Sequence, residues 1–207
     1  MLILTPMTNL NEFKILRRGF LAGMLTTALV GPAYALDNVT ATKLVDEVVF
    51  EINQVINSGA SEAKLIKAFE GIFAKYADVN IISRSALGPR ARTASALELN
   101  KFSFAFRSYI ARKYGRRFKE FVGSVIIVKN TTNRGKFFEV GAMVQTPSSA
   151  PFEVTFRVSD RSGKQLFFDI IIEGISLLSS ERVEIGALLD ARNGHIGRLT
   201  QDLSDLS

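Results

Sequence analysis

The stretch FFDIIIEGISLLSSERVEI, residues 167–185, decides the fold. It begins as an apolar, strand-like run, reaches Glu173-Gly174, and continues at once with helical spacing. A strand that leads directly into a helix is typical of an α+β domain in which helices close over a sheet. The stretch also carries two acids, Asp169 and Glu173. A carboxylate pair at the end of a strand is either catalytic or architectural, and the rest of the chain must decide between the two.

The residues before this stretch predict a four-stranded antiparallel meander. After Gly123 the apolar period changes from helical to two, with strands predicted at 125–128, 137–145, 152–158 and 165–172. Short turns separate these runs, and short connections imply antiparallel pairing. The third run alternates most clearly, because apolar residues at 152, 154, 156 and 158 are separated by polar ones.

Along the chain, helices are predicted both before and after the strands. Apolar residues recur at helical spacing in 39–57, 61–76 and 95–114, with a short apolar turn at 81–87, and the tail is helical over 175–191 and 195–203. These helices must cover the apolar face of the sheet. We therefore predict an α+β domain whose curved sheet is covered by the N-terminal helices and closed by the C-terminal ones. Such a cone either packs solid or encloses an apolar cavity.

If a cavity exists, its walls are the apolar stripe of the long third helix and the inner positions of the strands. The predicted lining residues are Phe102, Phe106, Tyr109, Ile110, Val125, Ile127, Val140, Ala142, Val144, Phe152, Val154, Phe156, Phe168, Ile170 and Ile172. Sixteen Phe residues suit a large core and an apolar cavity wall equally well, so composition alone leaves both readings open.

The first 35 residues are predicted to be a cleaved export signal. Arg17-Arg18-Gly19-Phe20-Leu21 resembles a twin-arginine signal, an apolar run of about a dozen residues follows, and Ala33-Tyr34-Ala35 fits an A-x-A cleavage site. An ordinary secretory signal that happens to hold two arginines is the alternative. The mature chain is then residues 36–207, a single domain.

Composition excludes much standard catalytic chemistry. The chain has no Cys and a single His, so it has neither a thiolate nucleophile nor a multi-His metal site, and no cofactor is expected. Nucleotide-binding and G-x-S-x-G motifs are missing. The net charge is +6, and removal of Lys14, Arg17, Arg18 and Glu12 with the export signal leaves +4 (6 − 2), which falls short of a nucleic-acid footprint, so nucleic acid is not an expected partner. His195 is expected to be exposed or to cap a helix.

Strand alternation argues against catalysis by the acid pair. It places Phe168, Ile170 and Ile172 on one face and Asp169 on the other, so Asp169 is predicted to face solvent if the apolar residues face the core. An exposed carboxylate lacks the burial that tunes an acid or base for catalysis. We therefore predict that the protein is not an enzyme.

The C-terminal region resembles the MlaC, or toluene-tolerance, family. That family has a strand ending in D-x-x-I/V-E-G-V/I-S-L, followed by a helix with an arginine. The matching residues are Asp169, Glu173, Gly174, Ser176, Leu177, Arg182, Gly194 and Leu199, with a weaker match at Ala86-Leu87-Gly88. The order of elements also agrees over residues 36–207. The usual tryptophans are missing, and the family's N-Y-R-x-x-F is replaced by 180–185.

The resemblance implies a soluble periplasmic phospholipid carrier with a nuclear-transport-factor-like cone. Such proteins hold acyl chains between sheet and helices, and they shuttle lipid between an outer-membrane lipoprotein complex and the substrate-binding ring of an inner-membrane ABC transporter. This shuttling maintains outer-membrane lipid asymmetry. The motif residues Leu87, Gly88, Asp169, Glu173, Gly174 and Arg182 are then architectural, with Glu173 a candidate partner of Arg182. Two alternatives stay open: an enzyme of similar shape using Asp169 or Glu173 on a small apolar substrate, and a solid-cored module that binds another envelope protein.

Overall fold

The computed structural model describes residues 36–205, so the predicted export signal lies outside the described residues. Within that range the chain forms six α-helices, two 3-10 helices and five strands. The α-helices are α1 (Asn38–Ile56), α2 (Glu62–Tyr76), α3 (Val79–Leu87), α4 (Ala96–Gly115), α5 (Leu177–Asp190) and α6 (Ile196–Asp205). The 3-10 helices are Gly88–Arg92 and Arg116–Phe121. The strands are β1 (Val125–Asn133), β2 (Phe138–Gln145), β3 (Phe152–Ser159), β4 (Leu166–Ile172) and β5 (Ile175–Ser176).

The sheet is an antiparallel meander in the order β1-β2-β3-β4-β5. The α+β class is confirmed, and strands are present at all four predicted places. The predicted number of strands is wrong, because the sheet has a fifth strand. The fifth strand is short, with Ile175 opposite Ile172 and Ser176 opposite Ile171. The chain doubles back as a hairpin before it becomes helical, so α5 begins two residues later than its apolar spacing predicted.

Local sequence explains where the helices begin. Asp37 accepts a hydrogen bond from the amide of Thr40, and Ser95 accepts one from the amide of Glu98, so both residues start capping boxes. Asp78 caps α3 by accepting from the amide of Ile81. This cap converts the predicted short apolar turn at 81–87 into a helix.

Two irregularities in the strand register fix which side chains face the helices. The β1–β2 pairing shifts between Val128 and Asn130, and the β3–β4 pairing shifts between Arg157 and Val158. Each shift inserts one extra residue and reverses the alternation beyond it. We call the helix-covered side of the sheet the inner face and the other side the outer face.

The register corrects three of the predicted lining residues. Val125 and Ile127 pair with Gln145 and Met143, so they lie on the outer face, while Ile126 and Val128 pair with the buried Val144 and Ala142. The four-residue apolar run at 125–128 gave no alternation that could have told the two faces apart.

In β4, Phe167 lies opposite Val158 and takes the inner position that alternation assigned to Phe168. Phe167 is buried against Phe73 and Phe156, whereas the ring of Phe168 packs edge-on against Phe137. The bulge moves Phe168 out of the inner row, because it adds one residue between Asp169 and Phe167.

Candidate functional site

The inner face of the sheet and the apolar side of α4 form one continuous apolar layer. Most of the predicted lining residues are buried together there, namely Phe102, Phe106, Tyr109, Ile110, Val140, Ala142, Val144, Val154 and Phe156. Phe102 and Phe106 have no exposed surface. The structure adds Val158 and Phe167 to this layer, two residues that the predicted lining set omitted.

The inner face becomes exposed towards β5. One cross-strand row runs Ala142, Val154, Ile172, Ile175. Along it the side chains change from buried at Ala142 and Val154 to half-buried at Ile172, and Ile175 is 64% exposed. Phe152 and Ile170 beside this row are also half-buried. The apolar layer is therefore closed at its centre and open at one end, which we call the open end (Phe152, Ile170, Ile172 and Ile175).

Segments next to the open end add further apolar surface. The ring of Phe121, from the 3-10 helix after α4, lies 6.1 Å from the ring of Phe152. Val122 follows directly and is largely exposed. Exposed apolar groups that adjoin a buried apolar layer are the surface expected where a ligand or partner enters.

Asp169 holds the corner after β4, where the C-terminal sequence signature lies. Its carboxylate accepts hydrogen bonds from the amide of Leu178 at 3.0 Å and from Ser176 Oγ at 2.8 Å, and it pairs with Arg157 at 3.3 Å. Asp169 is buried, so the prediction that it faces solvent is wrong. It does point to the outer face, but β5 and the first turn of α5 fold over it. By accepting from the amide of Leu178, Asp169 stabilises the first turn of α5.

Glu173 and Gly174 form the two-residue turn between β4 and β5. Their φ angles are 48° and 81°, and positive φ at both central residues is the signature of a type I′ hairpin turn. The side chain of Glu173 is exposed, and the structure gives it no bond to Arg182, so the suggested pair does not form. Arg182 instead lies against Gly88, whose φ of 60° and ψ of −136° suit only glycine. The two sequence motifs, Leu87-Gly88 and the C-terminal signature, thus meet in space.

A polar cluster connects α4 and α5. Lys113 Nζ lies 2.6 Å from Glu181 Oε1 and 2.6 Å from Glu184 Oε2, while the hydroxyls of Tyr114 and Tyr109 donate to Glu181 and Glu184. We call these five side chains the α4–α5 clasp. Glu181 is 3% exposed and Glu184 is 47% exposed at the side chain, so the clasp runs from the interior to the solvent.

The clasp fixes the charge states of its members. Burial and the bonds to the glutamates raise the pKa of the Tyr109 and Tyr114 hydroxyls, which therefore stay protonated. Burial by itself would lower the pKa of Lys113, but its bonds to both glutamates outweigh burial and raise it. The bonds from Lys113 and Tyr109 lower the pKa of Glu184. Sequence analysis missed this cluster, although Lys113 lies four residues after Tyr109 and Glu184 three after Glu181, spacings that share a helix face.

Two further grooves lie on the surface of residues 36–205, outside the apolar layer and the clasp. A groove of about 580 Å³ lies between α1 and α2 beside the exposed Phe50. The exposed His195 lies with Arg90 and Arg198 in a cleft of about 520 Å³. In this described range no cluster of His, Asp and Glu side chains is placed to hold a metal ion. None of the helices described is both long and apolar enough to cross a membrane.

Comparison with known proteins agrees with the sequence motifs. A solved structure of a phospholipid-binding protein from Ralstonia solanacearum, in complex with a phospholipid, superposes on this chain with a TM-score of 0.68. The two are 19% identical, and the match covers 80% of this chain and 95% of the other. At that identity the likeness shows a shared fold. The family model described as MlaC protein matches residues 42–205, which is most of the chain. The chain belongs to the MlaC family.

Proposed function

We propose that this protein binds a phospholipid, with the acyl chains lying on the inner face of the sheet and the headgroup at the open end. The observation that carries the proposal is the row from Ala142 to Ile175, along which a buried apolar layer reaches solvent. A structural relative that was solved with a phospholipid bound supports the same class of ligand.

The energetics favour acyl chains on this surface. Each methylene moved from water into an apolar environment contributes about 0.8 kcal/mol, so two acyl chains bind strongly while the headgroup stays in water. Phe102 and Phe106 are fully packed beneath the layer, and space for whole chains therefore requires α4 and α5 to move away from the sheet. That opening enlarges the apolar layer into the cavity of a cone-shaped domain.

The cellular role we propose follows from the family. The leader directs the protein to the periplasm, where the mature chain carries phospholipid between an outer-membrane lipoprotein complex and the substrate-binding ring of an inner-membrane ABC transporter. Transport of this kind maintains outer-membrane lipid asymmetry and needs no catalytic step. The burial of Asp169 supports a carrier over an enzyme, because its carboxylate oxygens are already bonded to Leu178, Ser176 and Arg157.

Lipid content tests the proposal directly. The full-length chain is expressed, the exported protein is purified without detergent, and an organic extract is examined by mass spectrometry. We expect about one diacyl phospholipid per protein. The matched variant is Ile170→Trp, which fills the half-buried end of the inner face and lowers the lipid content. A lipid-free wild-type protein that also takes up no phospholipid from vesicles would overturn the carrier.

A docking module is the second candidate, and the α1–α2 groove favours it. Phe50 is 62% exposed beside that groove, which is the kind of apolar feature that binds a partner protein. Lipid content separates the two candidates: a docking module copurifies without phospholipid, whereas a carrier whose ligand lies at the open end copurifies with it and keeps it in the variant Phe50→Ser.

A further inference from the structure

Two arginines and a histidine line a cleft where α6 begins. Arg90 belongs to the first 3-10 helix, and His195 and Arg198 lie at the start of α6, around a volume of about 520 Å³. All three residues are exposed, and none of their side chains forms a hydrogen bond or an ion pair with another residue between 36 and 205. We call this site the basic cleft.

Arg90 is held in place by Gly194. A β-carbon at position 194 would lie 2.9 Å from both Cζ and Nη2 of Arg90 and 3.3 Å from its Nε, so the guanidinium lies flat against the backbone there. Gly194 also has a φ of 75°, so glycine is required at this position for two reasons. A guanidinium that packs by its face keeps its N–H edges free to donate to an anion.

The basic cleft has no matching negative charge. The one acid that lines it, among the residues that the structure describes, is Glu98, whose Oε2 already accepts from the amide and the hydroxyl of Ser95. The first turn of α6 carries no acid, and the helix dipole disfavours a cation such as Arg198 at that end. Cations that are grouped in a cleft without an internal partner favour an anionic partner from outside.

An exposed apolar stripe on α4 begins beside the cleft. Leu97 directly precedes Glu98 in the first turn of α4, and Phe104 lies two turns further along the same side of the helix. Leu97 is 63% exposed and Phe104 is 65% exposed, although α4 packs against both α2 and α6. Lys101 lies between them, exposed and without a partner among the described residues. We call Leu97, Lys101 and Phe104 the α4 stripe.

The basic cleft and the α4 stripe together match the chemistry of an anionic membrane surface. Each Arg or Lys near such a surface strengthens binding about fivefold through its attraction to anionic headgroups. Apolar side chains beside the cations enter the boundary between headgroups and acyl chains. An acidic protein segment would match the cations alone, whereas a membrane surface also takes up Leu97 and Phe104.

We propose that the basic cleft and the α4 stripe form a docking surface for an anionic phospholipid bilayer. Arg90 and Arg198 contact the phosphate groups of lipids that remain in the membrane, while Leu97 and Phe104 insert at the level of the headgroups. This surface shares no residue with the open end, where the carried lipid lies under the proposed function. Its test therefore does not depend on whether the protein carries lipid.

Sedimentation with vesicles tests the docking surface. The full-length chain is expressed, and the exported protein is mixed with vesicles of phosphatidylcholine alone or of phosphatidylcholine with phosphatidylglycerol. We expect binding to be about tenfold or more stronger with phosphatidylglycerol, because several cations contribute about fivefold each. High sodium chloride removes this difference, since salt screens the attraction between exposed charges.

Matched variants locate the contact. Arg90→Gln and Phe104→Ser each weaken binding to the phosphatidylglycerol vesicles by about fivefold, and neither changes the melting temperature appreciably because both side chains are exposed. Arg161→Gln removes an exposed arginine from the turn between β3 and β4, and Phe50→Ser removes an exposed ring from α1. Both control variants keep the binding of the wild type.

Three results would overturn the docking surface. The first is wild-type protein that sediments with neither kind of vesicle, which leaves an acidic protein segment as the partner for the basic cleft. The second is equal sedimentation with both kinds. The third is binding to phosphatidylglycerol vesicles that Arg90→Gln or Phe104→Ser leaves intact.

A fluorescent reporter tests insertion directly, because the chain contains no Trp. Phe104→Trp keeps an aromatic ring in the α4 stripe, and we expect its emission to shift to shorter wavelength when vesicles with phosphatidylglycerol are added. Phe50→Trp is the control, and its emission stays that of an indole in water. If the emission of Phe104→Trp did not change in protein that had sedimented with the vesicles, insertion of the α4 stripe would be refuted.

Discussion

Replacing Asp169 with asparagine separates an architectural acid from a functional one. The substitution keeps the size of the side chain but removes its charge and one of its two acceptor oxygens. The amide of Leu178 or the guanidinium of Arg157 then faces an NH2 group in a buried corner. Hydrogen bonds to a charged group contribute about 1.5–3 kcal/mol each, so we expect a loss of about 2–4 kcal/mol in the free energy of unfolding. For a chain of this size, that corresponds to a melting temperature lower by about 5–15 °C.

The assay is thermal and urea unfolding of the lipid-free protein, with lipid content measured in parallel. Glu153→Gln is the control, because Glu153 is an exposed carboxylate on the neighbouring strand, and such changes stay within about 0.5 kcal/mol. A double-mutant cycle with Ser176→Ala measures the coupling, expected at about 0.5–3 kcal/mol for residues in contact. If Asp169→Asn left stability unchanged but abolished lipid uptake, the acid would belong to the working site and the architectural reading would be wrong.

Three further predictions concern the corner, the apolar layer and the clasp. Gly174→Ala places a side chain at a φ of 81° and lowers the free energy of unfolding by about 1 kcal/mol or more in urea titrations, with lipid content retained. Phe106→Ala removes a fully buried ring and costs about 3–5 kcal/mol in the same titrations, whereas Ile170→Trp at the open end lowers lipid content with a smaller effect on stability. Since the pKa of Glu184 is held below its ordinary value of 4.5, mainly by Lys113, its stabilising effect is present above pH 4.5 and is lost as the pH falls below it. The melting-temperature difference between wild type and Glu184→Gln is therefore expected at pH 7 and disappears in acid.

The helices and the main strands could be predicted from sequence because each has a clear local signal. The capping boxes at Asp37 and Ser95 begin α1 and α4 within a residue of the predicted starts. The third strand alternates so regularly that Phe152, Val154, Phe156 and Val158 were predicted to share one face, and Val154, Phe156 and Val158 are buried there. These signals lie within each element, so they can be read without knowing which other elements pack against it.

The faces of β1 and β4 could not be predicted, because register depends on the neighbouring strand. The run 125–128 is apolar at every position, and only pairing with Val144 and Ala142 selects Ile126 and Val128 for the inner face. In β4, the bulge inserts one extra residue, so Phe167 and not Phe168 takes the inner-face position opposite Val158. A single-residue shift moves every side chain beyond it to the other face, and no propensity of the strand itself records the shift.

The clasp was missed for a related reason. Lys113 belongs to a basic run that is also explained as a solvated helix end, and Glu181 is an acid in an amphipathic helix. Nothing in the sequence around either residue indicates that the two lie opposite each other. Their meeting depends on the direction in which α5 leaves the sheet.

That direction is set by the corner that the two acids occupy. The type I′ turn at Glu173-Gly174 returns the chain as β5, which ends after two residues because Ser176 caps α5, and Ile175 is left exposed at the open end. Asp169 then fixes the first turn of α5 through Leu178, and Glu181 follows about one turn later. Glu181 is thereby directed at Lys113 on α4. The two acids thus have an architectural role: Glu173 takes part in the turn beside the open end, and Asp169 holds the first turn of the helix that brings Glu181 to Lys113.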